Sequence, residues 1–178
     1  KHGPWMMRNT TSIQVNIDIF SKTEAEQMAF LADCLTPFSV LLFANGPFMA
    51  GNPANKSNHR YNFWNDTDPS RCGHLFDHDI NNKDQLLDKF VDIVLNAPSI
   101  FTVSIDNDIK KFDGSLKQWL QGIEKSGLLD EHKINIALHQ IFTNVRFKKH
   151  VLEIRSTDRP PKGFEMAPAA FWVGLLTV

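Results

Sequence analysis

The chain has 178 residues, of which 42% are hydrophobic and fourteen are Phe, so it suits one globular domain with a sizeable core. Its formal net charge of −1 provides no basic field for nucleic acid or anionic lipid, and no apolar run reaches the roughly 20 residues that a membrane span requires. The two cysteines, Cys34 and Cys72, lie outside any CxxC spacing. This favours a reducing compartment, and we expect a cytoplasmic protein with neither nucleic acid nor membrane as partner.

The N-terminal part of the chain predicts a half-buried strand followed by two helices. From Ser12 to Phe20 the odd-numbered positions 13–19 are apolar and the even-numbered positions 12–18 are polar. Ser21 and Glu24 have capping-box spacing, so a helix is expected to run to about Cys34. Pro37 is then expected to open a second, very apolar helix.

The remaining chain alternates between loops, helices and short strands. Gly, Pro and Asn mark residues 45–58 as loop, and turn residues mark the aromatic stretch 61–73 as loop-like. Apolar spacing predicts the later elements, which are a helix from Leu86 that ends before Pro98, a strand over 99–105, helices over 114–127 and 130–142, and a strand from Val151. Two polar-faced strands far apart in the chain favour an antiparallel sheet, and hence an α+β class, over a doubly wound parallel sheet.

A carboxylate and a guanidinium lie on one face of the last predicted strand. Glu153 and Arg155 are two residues apart and project from the same side of it. A solvated strand edge with a surface ion pair would also explain them. If this face adjoined the polar face that carries Gln14 and Asn16, one cavity would combine a ligand for a divalent cation with a phosphate contact. Such a cavity suits the chemistry of a magnesium-bound nucleotide.

Arg60 and Trp64 form a second candidate site. An arginine matches the geometry of a substrate carboxylate, and a tryptophan provides a rigid wall for an aliphatic stem, so the pair suits an amino-acid pocket. The alternative is that Trp64 belongs to the core and that Arg71 pairs with Asp66 or Asp68 in a turn. The segment "HLFDHD" at 74–79 suggests zinc, but it has neither a helical stripe nor an HExxH motif, so a zinc site is not favoured.

Five strings occur in order along the chain: "TTSIQVNID", "LLFANGPF", "RYNFWNDTDPSRCG", "VRFKKHVLEIRSTD" and "APAAFWVGLL". In that order and at those separations, they resemble the glutamate–cysteine ligases of the plant and proteobacterial type, within the carboxylate-amine ligase family, over residues 6–176. The resemblance implies a glutamine-synthetase-like fold, in which a curved antiparallel sheet with flanking helices forms a funnel around ATP, metal ions and amino acid. It also places both polar-faced strands on one cavity.

The activity that the resemblance implies is ATP-dependent ligation. The γ-carboxylate of glutamate takes a phosphoryl group, and the amine of cysteine attacks the acyl phosphate to give γ-glutamylcysteine, the first step of glutathione biosynthesis. This chemistry requires charge neutralisation and placement of both reactants more than a protein nucleophile.

Residue roles also follow from the resemblance. Glu153 would be a catalytic residue and a Mg²⁺ ligand, and Arg155 would contact the nucleotide and its transferring phosphate. Gln14 would lie beside the metal and the nucleotide. The substrate-binding residues would be Arg60 and Trp64, in the glutamate pocket, and Asn16. On this basis Glu153→Gln should abolish ligation with little effect on folding.

Departures from the family pattern leave alternatives open. The string "MAGNP" lacks the acidic residue that plant-type enzymes usually carry before the glycine, and the Arg146–Glu153 spacing is one residue longer than usual. The alternatives are a ligase that uses another amine and a catalytically inactive relative that binds amino acids. The acidic metal-binding strand and the nucleotide-covering segments of the family have no counterpart. Residues 1–178 are therefore interpreted as one incomplete catalytic domain, a central fragment that does not turn over alone, with its oligomeric state open.

Overall fold

The computed structural model describes residues 3–53, 55–104 and 108–177. In these ranges the helices are α1 Gly3–Asn9, α2 Lys22–Leu42, α3 His59–Asn65, α4 Leu86–Asn96, α5 Leu116–Lys125, α6 Glu131–Leu138 and α7 Ala167–Leu176. The strands are β1 Val15–Asp18, β2 Phe48–Met49, β3 Asn52–Pro53, β4 Cys72–Gly73, β5 Thr102–Val103, β6 Ile109–Lys110, β7 Phe142–Thr143, β8 Val145–Phe147 and β9 Val151–Ile154. The chain is thus of mixed helix and strand class, as the sequence predicted.

The largest sheet among the described residues has three antiparallel strands in the order β1, β9, β8. The two polar-faced strands predicted from the sequence are therefore direct neighbours, with Asn16 opposite Glu153. On the other side of β9, Arg146 of β8 is also opposite Glu153. A separate pair, β4 with β7, is parallel, so the antiparallel expectation does not hold for every strand pair.

The apolar side of the three-stranded sheet packs against α2 and α7. Val15 and Ile17 of β1 are buried, while Asn16 and Asp18 are exposed, as the alternation predicted. Ala25, Ala29 and Ala32 of α2 are at most 1% exposed. These small side chains lie on one face of α2 and let the helix axis come close to the sheet. This packing fixes the sheet, and its opposite face carries the polar groups.

One prediction about α2 was wrong, because the structure has a single helix where the sequence predicted two. Pro37 lies inside Lys22–Leu42 and does not open a new helix. Proline removes one backbone donor from the helix interior. Nearby hydroxyls bind helix carbonyls, Thr36 donating to Ala32 O at 3.1 Å and Ser39 to Thr36 O at 2.9 Å.

The first part of the aromatic stretch that the sequence analysis described as loop-like is helical, since α3 runs over His59–Asn65. Asn58 caps α3 by accepting the N–H of Tyr61 at 2.9 Å, and the helix then carries the two candidate residues, Arg60 and Trp64. The predicted helices in the second half of the chain are confirmed as α4, α5 and α6. Ile105, at the end of the predicted strand 99–105, lies outside the described residues. Within the described ranges, no helix is both long and apolar enough to cross a bilayer.

Candidate functional site

Glu153 lies at the centre of a buried cluster of charges. Its side chain is 2% exposed, and its two carboxylate oxygens accept hydrogen bonds from three cationic side chains. Arg146 Nε and Arg155 Nη1 donate to Oε2, the latter at 2.8 Å, and Lys148 Nζ donates to Oε1. Three cations on one carboxylate leave a local excess of positive charge. We call these four residues the charged cluster.

The surrounding charges keep Glu153 ionised. Burial by itself would raise the pKa of this carboxyl, but the hydrogen bond from Lys148 and the charge of Arg146, together with the hydrogen bond and charge of Arg155, lower the pKa to about 2. At neutral pH Glu153 is therefore a permanent anion that orients the cations around it.

The four polar residues predicted to share one face of the sheet do so. Arg155 Nη1 donates to Gln14 Oε1 at 3.3 Å as well as to Glu153, so one guanidinium nitrogen joins the two strands. Asn16 lies opposite Glu153 in register, with an exposed side chain. This common face is confirmed, whereas the catalytic and binding roles of the four residues stay predictions.

Two aromatic rings link α3 to the charged cluster. The guanidinium carbon of Arg155 lies 5.4 Å from the centre of the Trp64 ring and 5.8 Å from that of Phe142. Arg146 lies 5.8 Å from Phe142, and Arg60 lies 5.9 Å from Trp64. Cations at these distances are attracted to ring faces. The rings therefore help to fix the guanidinium groups on the sheet.

Arg60 has a structural use that the sequence did not indicate. It is 7% exposed, and its terminal nitrogens donate to the carbonyl of Arg155 at 2.6 Å and to that of Ser156 at 3.3 Å. Burial lowers the pKa of Arg60 to about 10, with Asp158 opposing this change and Arg155 adding to it. The guanidinium remains charged at neutral pH, and its hydrogen bonds fix the backbone just after β9. Its contact with a substrate carboxylate stays a prediction.

A cavity of about 270 Å³ is lined in part by Arg60. Its lining includes His59, Arg60, Asp158 and Arg159, together with Ala50 from the loop that departs from the family pattern. Asp158 is buried, and its Oδ2 accepts the N–H of Asn45 at 3.0 Å. Arg60 connects the cavity with the charged cluster, since it lines the cavity and donates to the carbonyl of Arg155, a member of that cluster.

Sequence analysis missed several members of these sites. Arg146 of β8 and Lys148, just after this strand, are two residues apart, so a hairpin with β9 would have placed both on the Glu153 face, and this period-two signal was available. A contact outside these two sites, between His74 and Asp33, carried no such signal, because the two residues meet only in the tertiary structure. His74 Nδ1 lies 3.4 Å from Asp33 Oδ1, and His74 Nε2 is hydrogen-bonded to the Tyr61 hydroxyl.

The described residues do not by themselves fit a magnesium ion. Both oxygens of Glu153 are occupied by cations, and Gln14 Oε1 accepts from Arg155. Over 3–53, 55–104 and 108–177, no group of three or more His, Cys, Asp or Glu could hold a metal ion. In the segment 74–79 the two histidines have separate partners, since His78 Nε2 donates to Cys72 O at 2.9 Å while His74 binds Asp33.

The charged cluster gives one polar sheet face an excess of positive charge. A protein with such a face belongs to the class that can bind anionic groups. Comparison with known proteins narrows this class. The profile of glutamate-cysteine ligase family 2 (GCS2) matches residues 1–178, and the chain belongs to this family.

Its relatives include the chloroplastic glutamate–cysteine ligases of Arabidopsis thaliana and Nicotiana tabacum, each 32% identical over 177 residues, and that of Brassica juncea, 31% identical over 177 residues. Each comparison covers 96% of this chain and 33% of the relative. The chain therefore spans about a third of the length of the curated relatives that it matches.

Proposed function

We propose that the chain is part of an ATP-dependent ligase that joins the γ-carboxylate of glutamate to the amine of cysteine. Membership of the family supports this proposal, and the charged cluster is the observation that carries it. Phosphoryl transfer to a carboxylate brings together a polyphosphate and an anionic acceptor, so the protein must supply fixed positive charge. Arg146, Lys148 and Arg155 supply it on one sheet face, held by Glu153.

In this proposal Arg155 contacts the transferring phosphoryl group. Its planar guanidinium can bind two phosphate oxygens at once, and its position is fixed by Glu153, Gln14 and the Trp64 ring. Gln14 then lies next to the nucleotide, and Asn16 next to the bound substrate on the exposed side of β1. Trp64 forms a wall of the glutamate pocket, and Arg60 keeps the segment after β9 in place beside it.

The proposal includes Mg²⁺ and ATP, as expected for this family, and the glutamine-synthetase-like funnel. The antiparallel order β1, β9, β8 is compatible with one wall of such a curved sheet. Magnesium would neutralise phosphate charge when bound, and it requires several oxygen ligands, which the described residues do not supply because the oxygens of Glu153 and Gln14 already accept from cationic side chains. The cytoplasmic location predicted from the sequence stays a prediction, since the relatives named above are chloroplastic.

The test is phosphate release from ATP by the native protein that carries this chain, with glutamate and a panel of amino acids as amines. We expect release to depend on glutamate and cysteine, and Arg155→Lys to reduce it at least about 100-fold, because the ammonium keeps the charge but cannot bind two oxygens. Asp113→Asn, on the exposed Lys111–Asp113 pair, is the matched control and should leave the rate unchanged. No glutamate-dependent release with any amine would refute the proposal and favour an amino-acid-binding relative without catalysis.

A ligase for a different amine is the second candidate. One observation favours it: Ala50 stands where the plant-type enzymes usually carry an acidic residue, and it lines the cavity beside Arg60. Losing a carboxylate there would change which amine the cavity accepts while leaving the charged cluster intact. The same panel separates the two candidates, because release that is faster with another amine than with cysteine would select the second.

A further inference from the structure

Three polar side chains form a chain of contacts from α2 to α3. Asp33 of α2 is 1% exposed, and its Oδ1 lies 3.4 Å from Nδ1 of His74. The other ring nitrogen of His74, Nε2, is hydrogen-bonded to the hydroxyl of Tyr61 on α3. Asp33 Oδ1 makes no hydrogen bond to any other residue that the structure describes. We call these three residues the histidine link.

The position of His74 in the histidine link is fixed by its own segment of backbone. The N–H of Leu75 donates to Asp33 Oδ2 at 3.0 Å, which ties this segment to α2. The N–H of His74 donates to Asp77 Oδ2 at 2.7 Å, and this bond closes the turn that follows. The His74 side chain is 20% exposed, so its ring is largely packed. Tyr61 therefore meets a ring whose backbone is anchored to α2.

Helix α3 is short, so a single link has a large share in fixing it. It has seven residues, and the side chain of Asn58 caps its start. Trp64, one turn after Tyr61, places its ring 5.4 Å from the guanidinium carbon of Arg155. The indole N–H of Trp64 is buried and has no hydrogen-bond partner within the described part of the chain. The location of this ring therefore depends on packing and on where α3 lies.

We propose that His74 is a positioning residue, which holds α3 through Tyr61 so that the Trp64 ring stays against Arg155. The inference rests on the proposed function, in which Arg155 contacts the transferring phosphoryl group, and it adds a residue that touches no substrate. A guanidinium that must meet two phosphate oxygens is sensitive to small displacements, because misplacement by about 1 Å costs up to about 100-fold in rate. His74 thus contributes to the reaction from outside the charged cluster.

The protonation state of His74 sets the direction of its bond to Tyr61. A carboxylate only accepts, so Nδ1 carries a proton towards Asp33, and Nε2 of the neutral ring accepts the Tyr61 O–H. A second proton makes Nε2 a donor, and the hydroxyl proton of Tyr61 then has to turn to another acceptor. The groups that face the ring are Asp33 from α2, Tyr61 from α3 and Asp77 from the following turn. A change of pH therefore alters the end of the histidine link that holds α3.

The experiment records the indole N–H resonances of the isotope-labelled 178-residue chain by NMR. The chain has four tryptophans, and the Trp64 peak is the one that Trp64→Phe removes. Tyr61→Phe deletes only the hydroxyl, and His74→Asn keeps an amide donor for Asp33 but is too short to reach Tyr61. We expect each variant to displace the Trp64 peak by more than its linewidth. The double variant should displace it no further, because both substitutions break one bond.

Two internal controls show that the fold is retained. The peaks of Trp119 in α5 and Trp172 in α7 should stay in place in both variants. In the parent chain the Trp64 peak should follow the titration of His74 between about pH 5 and 8, and this dependence should vanish in His74→Asn and in Tyr61→Phe. His132→Asn, at an exposed histidine of α6, should retain it.

Several results would overturn the inference. They are a Trp64 peak that stays in place in both variants, displacements shared equally by Trp119 and Trp172, a parent peak that does not depend on pH, and a pH dependence that survives in Tyr61→Phe. Each of them can be read without any catalytic activity.

The native protein that carries this chain tests the consequence for the reaction. We expect Tyr61→Phe to lower kcat of glutamate-dependent phosphate release at least about tenfold, because Arg155 loses part of its support. An unchanged kcat with a displaced Trp64 peak would overturn the positioning role. Absence of release from the parent protein, with a displaced peak in the variants, would instead refute the proposed function and leave the histidine link as a contact that holds α3.

Discussion

At the scale of single residues, the charged cluster makes Glu153 necessary for stability as well as for its proposed role. Its 2% exposed carboxylate compensates Arg146, Lys148 and Arg155. Removing one partner of buried ion pairs leaves uncompensated charge and costs about 3–5 kcal/mol. The sequence predicted little effect of Glu153→Gln on folding, and the three contacts reverse that expectation.

We therefore expect Glu153→Gln to lower the free energy of unfolding by about 3 kcal/mol, measured by urea denaturation at pH 7. Glu165→Gln, at a partly exposed carboxylate paired with Arg159 at 3.4 Å, is the control and should leave the free energy of unfolding essentially unchanged. Equal stability of the parent and Glu153→Gln would show that the cluster does not contribute to the fold.

The contact between His74 and Asp33 makes stability depend on pH. The hydrogen bond to Asp33 raises the pKa of His74, burial opposes this, and the charges of Asp33 and Asp77 add to it. Tyr61 also contacts the ring, but its own pKa is raised, chiefly by burial. A raised histidine pKa means that the folded state holds the proton more tightly, so the contribution is complete below about pH 6.5 and is lost as pH rises through the folded pKa.

We expect the free energy of unfolding to fall as pH increases from 6.5, and His74→Gln to remove this slope. Denaturant titrations at a series of pH values measure it, and His132→Gln, at an exposed histidine of α6, is the control. The same slope in His74→Gln and in the parent would contradict the assignment to this residue.

At the scale of elements, local sequence signals specified most helices but not the course of the chain through α2. The Ser21 cap and the apolar stripe correctly predicted where α2 begins. Pro37 suggested a helix start because proline is favoured at first turns, yet tertiary packing of residues on both sides of it keeps one helix. The short α1 carries no comparable periodic signal, and α3 depends on a single Asn58 cap.

Pro37→Ala tests the cost of proline inside α2. The substitution restores a backbone N–H and removes a ring clash with the preceding turn, and both changes stabilise the helix. The unfolded chain also gains conformational entropy, which offsets a smaller part of this stabilisation. We expect the free energy of unfolding to rise by about 1–2 kcal/mol, with an unchanged denaturant slope. Phe38→Ala, at a neighbouring side chain that is 64% exposed, controls for local surface effects. A loss of stability in Pro37→Ala would indicate that the fold requires the proline geometry.

At the scale of the whole molecule, sequence reasoning could bring Gln14, Asn16, Glu153 and Arg155 to one face, since strand periodicity fixes which side chains share a side. It could not give the number of cations around Glu153, because that depends on the β8–β9 register. Nor could it predict the state of Asp158. In the folded chain the N–H of Asn45 donates to Oδ2 of this carboxylate, while Oδ1 is buried without a hydrogen-bond partner among the described residues. Burial and hydrogen-bond vacancies are properties of the assembled chain.

The described residues also define what the 178-residue chain should do alone. They supply cations and a small cavity, but no group of three His, Cys, Asp or Glu that could hold a metal ion, and the chain spans about a third of its relatives' length. Because magnesium requires several oxygen ligands to hold a nucleotide, we expect the isolated chain to release no phosphate from ATP in the presence of glutamate, cysteine and Mg²⁺. A malachite-green assay measures this, with the Arabidopsis thaliana relative as positive control. Release that depends on both amino acids would mean that the chain completes a metal site from the residues described here, and the magnesium role of Glu153 would then be the first to test.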